Sequence, residues 1–176
     1  TAAIDHELAR LTRLLNEFLA FARPTELALA ERDIADLIRR VVASEQAVAI
    51  ARDVHLASFD AGRLVANVDG NKLLQVVQNL VRNAIEACGE GGNVVVAARA
   101  DDDRVHITVE DDGAGVPDDV KQRMFEPFVR TKHSGTGLGL SIVHSFVNQH
   151  GGTVDVEWLA RGTRFQVTLP RRTPSA

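Results

Sequence analysis

The sequence predicts a two-layer α/β sandwich, a mixed, largely antiparallel sheet with helices on one face, preceded by one bundle helix. Three observations carry this expectation. Four segments alternate apolar and polar residues and fall into two pairs across short turn signals, 94–100 with 105–110 and 153–158 with 163–169. Segments with helical spacing lie between and before these pairs, which suggests one helical layer on one sheet rather than a doubly wound fold. The first 23 residues carry their own seam, with Ile4, Leu8, Leu11, Leu15, Phe18 and Ala22 at alternating spacings of four and three.

Leu14, Leu19 and Phe21 widen that seam toward the pattern of a helix in a bundle, and Pro24 ends it. One such helix cannot bury its stripe alone. Residues 1–23 are therefore read as a separate unit, 24–170 as the main domain and 171–176 as a frayed polar tail. Within the domain, Glu26 to Ala30 reads as a strand. Asp33 is an N-cap for a helix to about Ala51, with Ile34, Leu37, Ile38, Val41 and Val42 inward. Val54 to Phe59 and Leu64 to Val68 read as strands around an Asp60-Ala61-Gly62 turn signal. Asp69 caps a helix from Asn71 to Cys88, stopped by the glycines after it. A short helix is expected over Pro117 to Met124 and a longer one over Leu138 to His150.

Composition narrows the function. The 176 residues are 45% hydrophobic and 25% charged with a net charge of −4, which describes a globular domain without the basic footprint of a nucleic-acid binder. No apolar run is long enough for a membrane span, and a single cysteine, Cys88, excludes an internal disulfide and a cysteine-cluster metal site. Late in a helical pattern, Cys88 reads as a packed thiol. Trp158, the one tryptophan, carries no functional signal at this level.

Three features converge on anion binding. In Arg130 to Val143, the glycines Gly135, Gly137 and Gly139 run into a helix start, where free N–H groups and a partial positive charge favour phosphate, although a flexible turn before a helix would also account for them. Neither the P-loop nor the dinucleotide spacing is present. Asn79 and Asn83 share one helix face; their oxygens suit Mg²⁺, although bonding to neighbouring backbone would also satisfy them. Asp111 should point with Val105, Ile107 and Val109 into an apolar layer, which is costly unless a donor such as an adenine amine meets it. A plain turn before Gly113 would also account for the aspartate.

With these residues in view, the sequence resembles the catalytic domain of sensor histidine kinases of the GHKL superfamily. Asn79-Leu-Val-Arg-Asn83 is similar to their N box, Asp111-x-Gly113-x-Gly115 to the G1 box, Phe125-Glu-Pro-Phe128 to the F box, and Gly135-Thr-Gly137-Leu-Gly139 to the G2 box. The boxes stand in the family's order, and the resemblance spans about 26 to 170. It implies the Bergerat ATP-binding fold, with a five-stranded sheet, three helices, and ATP with Mg²⁺ as ligands. By the same resemblance Asp111 receives the adenine amine with Thr163 nearby, Asn83 holds the metal, and Asn79 lies beside the phosphates. Arg130, Lys132 and the amides of Gly137, Leu138 and Gly139 would hold the phosphate chain, under a lid over about 116–136.

The resemblance further implies γ-phosphate transfer, with Asn79 and Lys132 as catalytic positions, to a histidine on a dimerisation domain. That acceptor helix could act in cis or in trans within a homodimer of the full-length protein, with a response regulator downstream and a cytoplasmic location. The run Asn16 to Pro24 is similar to the second dimerisation helix of nitrogen-regulation-type kinases. His6 is read as a helix-surface histidine. Hydrolytic members of the superfamily, of gyrase or chaperone type, carry a glutamate where this chain has Asn79, and asparagine cannot act as a base. A nucleotide-regulated interaction module and a serine kinase of the anti-sigma type also compete with the histidine-kinase reading. Alanine at Gly137 and Gly139 is expected to abolish ATP binding and spare the fold.

Overall fold

Alternating valines and isoleucines drive one face of each long strand into a shared core, and the remaining topology follows from what covers that face. The computed structural model describes residues 4, 8, 12, 15, 26–59, 62–129 and 137–172. In chain order the elements are β1 (Ala30–Asp33), α1 (Ile34–Ala51), β2 (Val54–Ser58), β3 (Val65–Val68), α2 (Gly70–Ala87), β4 (Gly92–Ala100), β5 (Arg104–Asp111), α3 (Asp118–Lys121), α4 (Gly139–Gln149), β6 (Thr153–Trp158) and β7 (Thr163–Pro170). The main sheet has the order β2-β4-β5-β7-β6, with β2 parallel to β4 and every other pair antiparallel.

Val94, Val96, Val105, Ile107, Val109, Val167 and Leu169 bury the inner face of this sheet against Leu37 and Val41 of α1, Leu73, Val77 and Leu80 of α2, and Val143, Phe146 and Val147 of α4. The outer face is polar: Arg164 bridges Glu110 at 2.7 Å and Glu157 at 2.6 Å across three strands. One buried face and one wet face is the expected two-layer sandwich.

One strand expectation needs correction, and two of the expected strands fall in different sheets. The strand expected at Glu26 to Ala30 lies at Ala30–Asp33, because its partner is β3, with Ala30 opposite Val68 and Asp33 opposite Val65. The stretch before it serves another end: the Ala28 N–H donates to the Asp69 carboxylate at 3.0 Å. The segments at 54–58 and 65–68 do not pair with each other. β3 joins β1 in a separate two-stranded sheet, while β2 runs parallel to β4, a pairing that needs the long crossover through α2.

The short helix expected over Pro117 to Met124 is one α-turn, Asp118–Lys121, followed by non-helical turns. The tail is anchored at its start, since Arg171 accepts from Asn67 N–H at 3.1 Å and donates to the Asp103 carbonyl at 2.7 Å. Of the amino-terminal helix, positions 4, 8, 12 and 15 are described; all are helical, and Ile4, Leu8 and Leu15 are more than half exposed. His6 and the rest of that segment lie outside the described residues.

The helices are fixed at their ends and flanks by polar contacts. Asp33 caps α1 by accepting from Ala35 N–H, and Asp69 caps α2 by accepting from Asn71 and Lys72 N–H at 3.1 Å each. Glu45 on α1, 1% exposed, accepts from Gln78 Nε2 at 2.6 Å and from Arg82 Nε and Nη2 at 2.8 and 2.9 Å. This two-pronged contact fixes the register of α1 on α2.

Burial alone would raise the Asp69 pKa, but the Ala28, Lys72 and Asn71 amides together hold it below its ordinary value. A carboxylate with a depressed folded pKa contributes stability above its unfolded pKa and loses it as pH falls through the folded value. Asp69→Ala is therefore expected to cost about 1–2 kcal/mol at pH 7. In urea denaturation from pH 7 downward, the gap to the parent should stay level until near pH 4 and then shrink. A gap that does not depend on pH would refute this role for the Asp69 charge.

Candidate nucleotide site

Alternation along β5 carries Asp111 onto the same face as Val105, Ile107 and Val109, and the residue is 4% exposed. Its Oδ1 accepts the Gly113 N–H at 2.9 Å. Thr163, directly opposite on β7, is 2% exposed. The two form a buried polar floor at one end of an otherwise apolar layer. The backbone around them is closely packed. A β-carbon at Gly113 would collide with the Ala87 carbonyl at the end of α2, and one at Gly162 would collide with the Asp111 carbonyl. Gly115, at φ 73°, makes the turn that carries the chain away from this floor.

The other end of the site lies one to two turns back along α2. Asn79 and Asn83 are half-buried on one face, and Asn79 Nδ2 donates to the Gly139 carbonyl at 3.4 Å. That contact brings the asparagine face against the start of α4. Leu138 caps α4 without a side-chain hydrogen bond, and the helical ladder starts with Ile142 N–H to the Leu138 carbonyl at 2.9 Å. The start of a helix favours an anion through its dipole and its N–H groups. Asn79 and Ala87 are separated by about 12 Å along α2. The candidate residues thus fall toward two ends, the start of α4 and the buried Asp111–Thr163 pair, with α2 running between them.

The segment before α4 is closed at its base. Phe128 N–H donates to the Gly137 carbonyl at 2.9 Å, and both residues have positive φ, 65° and 74°. For an aromatic residue that conformation is strained. Arg130, Lys132 and Gly135 lie outside the described residues, as does the part of the expected lid from 130 to 136. The structure brings together Asn79, Leu138 and Gly139 at one end and Asp111, Gly113 and Thr163 at the other, with Asn83 between them on α2.

Neighbouring groups support the site without entering it. Asn93 donates to Asp112 from its side chain and backbone at 2.9 and 2.8 Å, which holds that carboxyl below its usual range. Burial, followed by the charges of Asp111 and Asp112, pushes the Cys88 thiol up to about 11, so it stays a packed thiol. The described residues hold no cluster of three or more His, Cys, Asp or Glu side chains able to bind a metal unaided. Sequence reasoning missed the Glu45–Arg82 contact and the approach of Gly162 to Asp111. The first had only a lone glutamate within an apolar helix as its signal, and the second arises from strand register.

A mixed sheet covered by helices on one face, with a buried carboxylate and threonine at one end and asparagines facing the start of a helix, is the frame on which the chain's family is recognised. Residues 68–173 match the family described as histidine kinase-, DNA gyrase B- and HSP90-like ATPase. The chain belongs to that family. It is 35% identical over 169 residues to sporulation kinase A of Bacillus subtilis (strain 168), covering 94% of this chain and 28% of that protein. It is 38% identical over 167 residues to the sensor histidine kinase ZraS of Escherichia coli (strain K12), covering 93% of this chain and 36% of that one.

Among solved structures, the nucleotide-free catalytic domain of histidine kinase ThkA superposes with a TM-score of 0.76 at 32% identity, covering 82% of this chain and 96% of that one. Full-length ShkA in complex with AMPPNP gives a TM-score of 0.84 at 32% identity, covering 99% of this chain and 39% of that one. The chain thus spans about a third of the length of these curated relatives.

The two glycines at the start of α4 are not equivalent. A β-carbon at Gly137 would stand 2.6 Å from the Phe128 carbonyl carbon, at a positive φ, whereas one at Gly139 would meet Asn79 at an ordinary 3.8 Å. The sequence-based expectation that both substitutions spare the fold therefore fails at Gly137. Gly137→Ala is expected to cost about 1–3 kcal/mol in thermal or urea unfolding, and Gly139→Ala to unfold like the parent. Equal stability of the two variants would contradict the strain assigned to Gly137.

Proposed function

We propose that this domain binds Mg-ATP in the groove between α2 and α4 and donates the γ-phosphate to a histidine on a dimerisation helix in two-component signalling. The observation that carries the reading is the contact of Asn79 with Gly139, which joins the asparagine face of α2 to the amino terminus of α4. At the far end, Asp111 and Thr163 are oriented to read the base, with Asp111 accepting the exocyclic amine of adenine.

The α4 amides at Leu138 and Gly139 bind and orient the phosphates, with Arg130 and Lys132 adding charge. Asn83 offers a neutral oxygen suited to Mg²⁺, which would also keep phosphate and water ligands. When bound, the metal would neutralise charge building on the transferred group. Asn79 positions phosphate and cannot activate water, which favours transfer over hydrolysis.

The relatives support this reading by name: sporulation kinase A and ZraS are kinases, ShkA was solved with AMPPNP, and ThkA was solved with the response regulator protein TrrA. The ThkA complex matches at 29% identity with a TM-score of 0.80. By this reading residues 1–23 are the second dimerisation helix, and the acceptor helix and a response regulator are the partners. No described helix is long and apolar enough to cross a membrane, and the proposed place of action is the cytoplasm.

Isothermal calorimetry with ATP and Mg²⁺, followed by labelled phosphate transfer to a separately made acceptor-helix domain, tests the proposal. Saturable heat that falls at least tenfold in Asn83→Ala, and label on histidine, are expected. Asp111→Ala should weaken adenine nucleotides by about 1–3 kcal/mol by removing the acceptor of the amine. No heat from folded protein would defeat the nucleotide reading. Heat with rapid phosphate release and no phosphohistidine would favour a hydrolytic ATPase instead.

A further inference from the structure

The chain leaves β5 at Asp111, and ten residues later Lys121 lies on Trp158, two strands away across the sheet. Strand register makes this displacement explicit. Asp111 is opposite Thr163, and Thr163 is opposite Trp158, so the three side chains form one row on the helix-covered face. The row spans two strand spacings, about 10 Å. Asp111 and Thr163 are its buried members, while Trp158 is 39% exposed at the open end.

Lys121 Nζ lies 4.7 Å from the Trp158 ring centroid and pairs with Asp118 at 2.6 Å. α3 is a single turn with no fully buried residue. Val116, Val120 and Met124 around it pack on the core, and Lys121 brings this segment to the open end of the row that holds Asp111 and Thr163. A one-turn helix has no cooperative stability of its own and depends on such contacts.

We infer that Lys121 and Trp158 form a clasp at the base end of the groove, with Trp158 a positioning residue that fixes α3 against the nucleotide base. The inference rests on the nucleotide reading above. It also gives the one tryptophan a function that the sequence left blank. A cation over an indole ring is stabilising, and the geometry requires an aromatic face rather than indole hydrogen bonding. Phenylalanine should therefore substitute for Trp158, and an aliphatic residue should not.

The test uses the whole chain and pairs calorimetry with the intrinsic fluorescence of its single tryptophan. Trp158 emission is expected to change saturably with Mg-ATP at the calorimetric affinity. Lys121→Ala and Trp158→Leu should weaken ATP and ADP alike by about three- to tenfold, with melting unchanged in Lys121→Ala, and Trp158→Phe should restore binding. A loss seen with ATP and absent with ADP would place the effect at the phosphates and overturn the clasp. Parent-like binding by Lys121→Ala and Trp158→Leu would overturn it too. Absence of ATP heat in the parent would instead defeat the nucleotide reading, so the two failures are distinguishable.

Discussion

Three stretches of backbone meet at Asp111 with no room for a β-carbon between them. Gly113 lies against the last carbonyl of α2, and Gly162, in the β6–β7 turn, lies against the carbonyl of Asp111. The end of β5, the end of α2 and the final hairpin are thereby locked together around one buried carboxylate. Burying a charge is costly unless donors surround it, and here Gly113 N–H supplies one while Thr163 lies opposite. The rest of the groove depends on this junction, since it fixes where α2 stands over the sheet. The position of α2 then fixes where Asn79 meets α4.

The same helix is held at its other end and along its flank by polar contacts. Asp69 gathers amides from Ala28, Asn71 and Lys72, and Glu45 takes Gln78 and Arg82 from α2. Asn79 and Asn83 flank Arg82 in sequence. A shift of α2 along its axis would break the Glu45 contact and move Asn79 away from the start of α4. The residues proposed for recognition and those that pack the helix thus occupy neighbouring positions of one element, so a mutation in one is expected to register in the other.

Much of this was legible in the sequence because it is local. The caps at Asp33 and Asp69, the helices they start, both hairpins and the inward side of Asp111 follow from periodicity and turn chemistry. Pairing between distant strands was not legible. The segments at 54–58 and 65–68 carry the same alternation, yet one joins the main sheet and the other a separate pair, a choice made by tertiary contacts through α2. The start of β1 was misplaced for a related reason: Ala28 is bound to a carboxylate 41 residues away. At the site, Asn79, Asn83, Asp111 and the glycines stood out by type and spacing. Trp158 gave no signal, because its place opposite Thr163 and under Lys121 is set by strand register and by the path of the chain after β5.

If α2, the α4 amino terminus and the Asp111–Thr163 pair form one nucleotide groove, as proposed, a single ligand must touch all three. An amide-resolved NMR titration of the chain with Mg-AMPPNP tests this. Concerted shifts with a single affinity are expected at Gly113, Leu138, Gly139 and Thr163 and at the side-chain amides of Asn79 and Asn83, while the outer-face residues around Arg164 stay still. Shifts at the α4 end alone, leaving Gly113 and Thr163 unmoved at saturation, would contradict it.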